Sequence, residues 1–279
     1  MSYPPEMIAR PRVMGIVNAT PDSFSDGGRH LAPEAALAHG WRLIADGADI
    51  LDIGAESTRP GAAPVSAEVE IERIVPLIRG IRAESAVPIS IDTMKPEVAR
   101  VAMAAGATIW NDVTALRHAP ASLAVAAELG CEVVLMHMQG EPGTMQAEPR
   151  YDDVVAEVAQ FLAARAEAAM AAGVARDRIW LDPGIGFGKH PTRHNLPLLA
   201  GLDRIVALGF PVLLGASRKA FIGALDGGAG ADRRLGGSIA AALAGASAGV
   251  AAVRVHDVRE TVQALAVQAA IAQAGAQSA

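Results

Sequence analysis

Short apolar runs recur along the chain with a helix-like stretch between each pair, and this alternation limits the fold more than any other feature. The runs cover residues 13–17, 49–53, 88–91, 107–110, 132–136, 179–181, 211–214 and 251–255. Most are four or five residues long and continuous rather than alternating. That pattern suits strands buried on both faces, as parallel strands are. Between the runs, residues 151–173 place Val154, Val158, Phe161 and Leu162 on one helical face, and residues 257–274 do the same with Val258, Val262, Leu265 and Ala269. Gly47, Gly106, Gly130, Gly173 and Gly209 each stand just before a run, where a helix would end.

Strand alternating with helix predicts βαβ units and a parallel sheet. Eight such units in 279 residues fit a closed (β/α)8 TIM barrel, which needs about 250 residues. An open, doubly wound sheet is the alternative. No side-chain signature recurs at the unit spacing, which excludes a solenoid. No linker divides the chain, so a single domain over residues 1–279 is expected. Residues 226–231, rich in Gly and Ala, read as a flexible loop inside the seventh unit.

Hydrophobic residues make up 51% of the chain and charged residues 19%, enough for a large core and wrong for a disordered chain. A net charge of −6 argues against a broad nucleic-acid surface, so a bound anion would need a few local cations. The single cysteine, Cys131, lacks a disulfide or zinc partner and reads as a buried thiol. The first twelve residues carry three prolines and no apolar core of a signal peptide. The apolar stretches at 239–248 and 249–253 are too broken to span a bilayer. The expectation is a cytoplasmic protein without membrane or nucleic-acid partners.

Active sites of such barrels lie at the C-terminal ends of the strands, and the polar residues gather there. Asn18 follows the first run, Glu56 to Arg59 the second and Asp92 the third; Asn111 and Asp112 follow the fourth, Met136 and His137 end the fifth, and Asp182 follows the sixth. Ser217, Arg218 and Lys219 follow the seventh run, and the eighth carries Arg254 and His256. The opposite ends carry plain Gly-Ala, Val-Pro and Phe-Pro dipeptides. Solvated loop polarity would scatter charge at both ends and does not explain short Asp, Asn and Arg residues at one end only.

Asp92, Asn111, Asp182 and Lys219 should converge in the barrel mouth. A carboxylate facing a planar N–H edge accepts two parallel hydrogen bonds, and Asn offers a donor and an acceptor. The set suits a heterocycle with an amidine-like edge and a ring carbonyl, such as a pterin. Plainer readings are a helix cap for Asp182, an ion pair of Asp92 with Lys95, and a turn role for Asn111. Arg59, Arg254 and His256 with Asn18 form a second group, fit for a dianionic leaving group. His256 alone could be structural. The Asn18 amide oxygen is a hard ligand suited to Mg2+. Gly184-Ile185-Gly186-Phe187-Gly188-Lys189 imitates a phosphate loop, but Pro183 and His190 break the P-loop pattern and Lys189 the dinucleotide one.

These residues carry a resemblance. Asn18-Ala19-Thr20-Pro21-Asp22-Ser23-Phe24-Ser25-Asp26-Gly27-Gly28 and Gly54-Ala55-Glu56-Ser57-Thr58-Arg59-Pro60-Gly61 are similar to the first two signatures of the dihydropteroate synthases. Ser90-Ile91-Asp92-Thr93, Asn111-Asp112-Val113, Met136-His137-Met138-Gln139-Gly140, Asp182 to Lys189, Gly215-Ala216-Ser217-Arg218-Lys219 and Arg254-Val255-His256-Asp257-Val258 continue the match, which spans about residues 13–267. Met94 and Thr114 depart mildly from the pattern. The resemblance implies a (β/α)8 barrel, a homodimer, and condensation of (7,8-dihydropterin-6-yl)methyl diphosphate with p-aminobenzoate in folate synthesis. It implies a pterin held by Asp92, Asn111, Asp182 and Lys219, with Met136 and Phe187 beside it and Arg254 over the ring. It implies Mg2+ on Asn18, the diphosphate near Arg59, Arg254 and His256, and p-aminobenzoate near Phe24, Thr58, Ser217 and Lys219. Asp92, Lys219 and Asp26, the last on the first loop, are expected to be catalytic.

The chemistry expected is C–O cleavage running ahead of attack by a neutral aryl amine. It needs no Ser–His–Asp or Cys–His set, and the chain offers none. A pterin-dependent methyltransferase would share the carboxylates but would not need the Ser217-Arg218-Lys219 segment or the Arg254/His256 pair. A pterin-binding relative without turnover is the non-enzymatic alternative.

Overall fold

The structure is a computed structural model that describes residues 10–19, 28–56, 65–140 and 143–277. Its strands are β1 (Arg12–Asn18), β2 (Ile50–Gly54), β3 (Ile89–Asp92), β4 (Ile109–Asp112), β5 (Glu132–Met136), β6 (Ile179–Asp182), β7 (Leu213–Leu214) and β8 (Ala252–Val255). All pair in parallel in the order β6-β5-β4-β3-β2-β1-β8-β7. A bridge between Leu181 and Val212 joins β6 to β7 and closes the ring. The helices between the strands are α1 (Gly28–Ala45), α2 (Ala67–Glu84), α3 (Pro96–Ala105), α4 (Ser122–Leu129), α5 (Val154–Ala171), α6 (Asn195–Ala200), α7 (Leu202–Val206), α8 (Ala220–Leu225), α9 (Leu235–Ala248) and α10 (Val258–Gln277). The fold is the expected (β/α)8 barrel, not the open sheet.

The strands read as continuous apolar runs because both of their faces are buried. One alternate set (Met14, Ile50, Ile109, Val134, Trp180, Leu213 and Ala252) fills the barrel interior. The other, including Val13, Leu51, Ile91, Leu135 and Val253, packs outward against the helices. Side chains two residues apart on a strand share a face. The inward set therefore continues at Asp52, Asn111, Met136, Asp182 and Arg254, one layer nearer the C-terminal mouth. The expected helix-ending glycines behave as such: Gly47, Gly106, Gly130, Gly173 and Gly209 all have φ between 59° and 116°, a conformation glycine adopts without steric cost. Asp153 caps α5 by accepting from Val155 N and Ala156 N, both at 3.0 Å.

Two expectations need correction. Asp92, Asp112 and Asp182 are the last residues of their strands, and Asn111 is the last but one of β4, so none of the four begins a loop. The parallel register runs on through Gly54, Asp92 and Asn111, so the mouth residues are held by the sheet itself. The seventh run is shorter than expected. Pro211 has no N–H for the ladder, and the regular strand covers only Leu213–Leu214, although Pro211 O still accepts from Leu181 N at 2.9 Å.

Candidate functional site

The inward layer at the mouth is polar, and one guanidinium ties it together. Arg254, reaching inward from β8, donates through Nε to Asp52 Oδ2 at 2.6 Å and through Nη2 to Asp92 Oδ2 at 2.8 Å. Asn111 Nδ2 lies 3.4 Å from both Asp52 oxygens. Asp182 is buried, and its Oδ1 accepts from Gly184 N at 2.7 Å. Burial pushes the Asp92 carboxyl up to about 7, helped by Asp52 and Asp112 and opposed by Arg254. Burial also raises Asp182, against the Gly184 N–H and the positive fields of Lys219, Arg254 and Lys189. Burial works against the charge on Arg254, but Asp52 and Asp92 outweigh it and hold the guanidinium well above its ordinary value.

One wall of the mouth is apolar. Val113, Met136, Met138 and Met145 form a buried cluster, with Phe187 packed against it. Lys219 Nζ stands 4.1 Å from the centroid of the Phe187 ring, a cation–π distance. On the other side, Ser217 Oγ lies 3.0 Å from His256 Nδ1. Burial and the charges of Arg254 and Arg218 lower His256 to about 4. At neutral pH the imidazole is therefore uncharged. It offers at most an N–H.

Asp92, Asn111, Met136, Asp182, Phe187, Lys219 and Arg254 thus come together, with Ser217 and His256 beside them. Asn18 ends β1, beside Gly54. Phe24, Asp26, Thr58 and Arg59 lie outside the described residues. The plainer readings fail on geometry. Asp182 caps a turn, not a helix. Asn111 lies within β4. Lys95 pairs with Glu56 and Glu70 rather than with Asp92.

Sequence reasoning missed Asp52, which is fully buried and accepts from Arg254. Its signal was a carboxylate at an inward position of an apolar strand, which is costly unless paired. Lys189 was also missed. Its buried Nζ reaches His137 Nδ1 at 2.8 Å, Gly184 O at 2.9 Å and Phe187 O at 3.1 Å, so it ties together the loop that carries Phe187.

Chemically, the mouth is a slot with hydrogen-bond acceptors on the floor, a cation held between them, thioether and aromatic groups on one wall, and further cations at the rim. It suits a flat, N–H-rich heterocycle beside an anion. A profile of the family described as "Pterin binding enzyme" matches residues 14–256. The dihydropteroate synthase of Escherichia coli (strain K12) is 48% identical over 258 residues, covering 92% of this chain and 90% of that protein. A solved Xanthomonas albilineans dihydropteroate synthase with 4-aminobenzoic acid superimposes with a TM-score of 0.88 at 55% identity, covering 94% of this chain and 93% of that one. A structure of the Xanthomonas albilineans enzyme in complex with 7,8-dihydropteroate gives a TM-score of 0.86 at 52% identity, covering 94% of each chain.

Proposed function

This chain belongs to the pterin-binding enzymes as a member of the dihydropteroate synthase family, and on that premise we propose how its single barrel domain makes the product. The reaction joins (7,8-dihydropterin-6-yl)methyl diphosphate to p-aminobenzoate and releases 7,8-dihydropteroate and diphosphate. The observation that carries the reading is the half-buried Arg254 fork on Asp52 and Asp92, beside Asn111, Asp182 and the Met136/Phe187 wall.

The pterin's N–H edge donates to Asp182 and Asp92, charge-assisted bonds that fix its plane. Asn111 reads the edge beside them, Met136 and Phe187 pack on the ring, and Arg254 and Lys219 bracket it. The C–O bond to the diphosphate breaks first, because ring nitrogen lone pairs stabilise the positive charge left on the exocyclic methylene. Asp92 and Asp182 add negative potential beside that carbon. Arg59 and Arg254 take the charge growing on the departing oxygen, and His256 contributes an N–H. The p-aminobenzoate nitrogen, already neutral, attacks the methylene and then loses one proton to solvent. Phe24, Thr58, Ser217 and Lys219 hold the aryl carboxylate side. Asp26 acts from the first loop, which together with the second excludes the water that would trap the cation.

Asn18 fits a magnesium ion. No described residue hydrogen-bonds its side chain, leaving the amide oxygen available at the rim. Among the described residues no three His, Cys, Asp or Glu side chains form a chelating group. The remaining ligands would be water and substrate oxygens, the way Mg2+ is commonly held. When bound, Mg2+ supplies neutralisation of the diphosphate charge.

The chain is also proposed to work as a homodimer. Val267 and Ile271, one helical turn apart on α10, are exposed large apolar side chains, which a second copy would cover. No described helix is long and apolar enough to cross a membrane. The cytoplasm is the proposed compartment, in keeping with a barrel that uses no disulfide, its one cysteine buried and unpaired.

The deciding assay measures diphosphate release from the dihydropterin substrate with and without p-aminobenzoate. Release that requires the aryl amine is the expected result. A methyltransferase or a silent pterin binder would release none, and that outcome would reject the reading.

A further inference from the structure

Arg218 lies between two site residues with its backbone in the left-handed region, at φ 57°. Non-glycine residues avoid this region, because Cβ crowds the backbone, and they persist there only when their surroundings hold them. Here the surroundings do. The guanidinium donates to both oxygens of Asp257, Nε to Oδ2 at 3.0 Å and Nη2 to Oδ1 at 2.5 Å. Arg218 N donates to Ser238 Oγ at 2.9 Å, and its carbonyl accepts from Arg234 Nη1 at 3.0 Å. Side chain, N–H and carbonyl are thus each fixed, by Asp257 two residues past β8, by α9 and by the segment leading into α9.

The consequence falls on Lys219. A left-handed residue reverses the local chain direction. It lets Ser217 meet His256 at 3.0 Å while the next residue, Lys219, reaches the Phe187 ring at 4.1 Å. An extended or right-handed residue at 218 would turn one of the two away. Asp257 directly follows His256, so the two residues just past β8 are the partner of Ser217 and the anchor of Arg218. We infer that Arg218 and Asp257 form a positioning pair whose bidentate contact holds the strained turn and so aims Lys219 at the pterin. Neither is assigned a part in the chemistry. The inference rests on the functional reading above.

The test is a double-mutant cycle between Asp257→Asn and Lys219→Ala. Pterin affinity is read by calorimetry, and turnover by diphosphate release. In the native background Asp257→Asn should weaken both by about tenfold, the scale of a reacting group displaced by less than an ångström. In the Lys219→Ala background it should change neither by more than about twofold, because the effect travels through Lys219. If Asp257→Asn does not fold, Arg218→Ala replaces it: alanine keeps the Cβ crowding of the left-handed turn but loses the guanidinium that holds it, and the same non-additivity is expected. A variant that matches the native chain overturns the inference, and so does an equal loss in both backgrounds. Calorimetry separates the two claims. A native chain that binds pterin but releases no diphosphate fails the functional reading while the cycle still decides the pair. A chain that binds no pterin ends both.

Discussion

Arg254 Nη2 bonds Asp92 Oδ2 at 2.8 Å while Nε of the same guanidinium bonds Asp52 at 2.6 Å, so one cation from the last strand serves two carboxylates from the second and third. Burial and the neighbouring acids outweigh the cation at Asp92 and lift it to about 7. A raised acid keeps its proton to higher pH, so the ionised form is gained only as pH climbs through that value. The pH profile of kcat/KM for the pterin should therefore fall as pH drops through about 7. Asp92→Asn should lower kcat/KM by about 100-fold and abolish that limb. A native profile flat from acid to neutral pH would remove Asp92 from pterin binding.

Asp52 touches the same guanidinium, and its charge is one of the influences that raise Asp92. Asp52→Asn removes that charge and leaves Arg254 to Asp92 alone. Both changes favour the Asp92 carboxylate, so the acidic limb should move down by about one pH unit. Kinetic profiles of the two proteins decide it, and a limb that stays put or moves up would show that Asp52 has no electrostatic hold on the site.

The barrel was legible because its parallel strands are buried on both faces, which writes each strand as an unbroken apolar run. The mouth was legible in part. Asp92, Asn111 and Asp182 stand out as short polar residues at the ends of such runs. Asp52 does not, because it sits inside the run Ile50-Leu51-Asp52-Ile53. Only its parity with the inward-facing Ile50 distinguishes it, and parity requires knowing which face points inward. The neutral state of His256 was out of reach for a different reason: it comes from burial and from the charges of Arg254 and Arg218, a three-dimensional sum that spacing does not encode.

Lys219 lies against Phe187 and is among the cations that hold Asp182 down. Lys219→Ala should cut turnover by about 100-fold, the usual scale for losing one positioned charge in a site. The side chain is only half-buried, so the thermal midpoint should move by no more than about 3 °C. Near-normal turnover, or a collapse of the fold, would show that the assigned role is wrong.

Asn18 ends β1 at the rim, and no described residue engages its side chain. Asn18→Ala should therefore leave stability nearly unchanged while raising the Mg2+ concentration for half-maximal turnover by about tenfold. A magnesium titration of the two proteins that superimposes would take Asn18 off the metal.

Lys189 gives the strongest stability prediction. Its buried Nζ faces His137 Nδ1 at 2.8 Å, Gly184 O at 2.9 Å, Phe187 O at 3.1 Å and His137 O at 3.4 Å. Burial first, with Lys189 second, lowers His137 to about 3, so the imidazole stays neutral and can accept at Nδ1. The loop is wound to aim these carbonyls: Gly184 has φ 67°, and a Cβ there would come within 1.9 Å of His137 O. Lys189→Met keeps the length but removes every donor, leaving buried acceptors unpaired at about 1–3 kcal/mol each. The thermal midpoint should fall by about 10 °C, and pterin affinity with it, since Phe187 hangs on the same loop. The pH dependence has a fixed sign. Burial depresses Lys189 from 10.5 to about 7, so between those values the unfolded chain binds a proton that the native chain does not, and native stability rises with pH. Methionine has no such proton. The stability gap between native and variant should widen from pH 7 toward 10.5, and denaturation curves showing a constant or shrinking gap would mean that this lysine is not held as the fold implies.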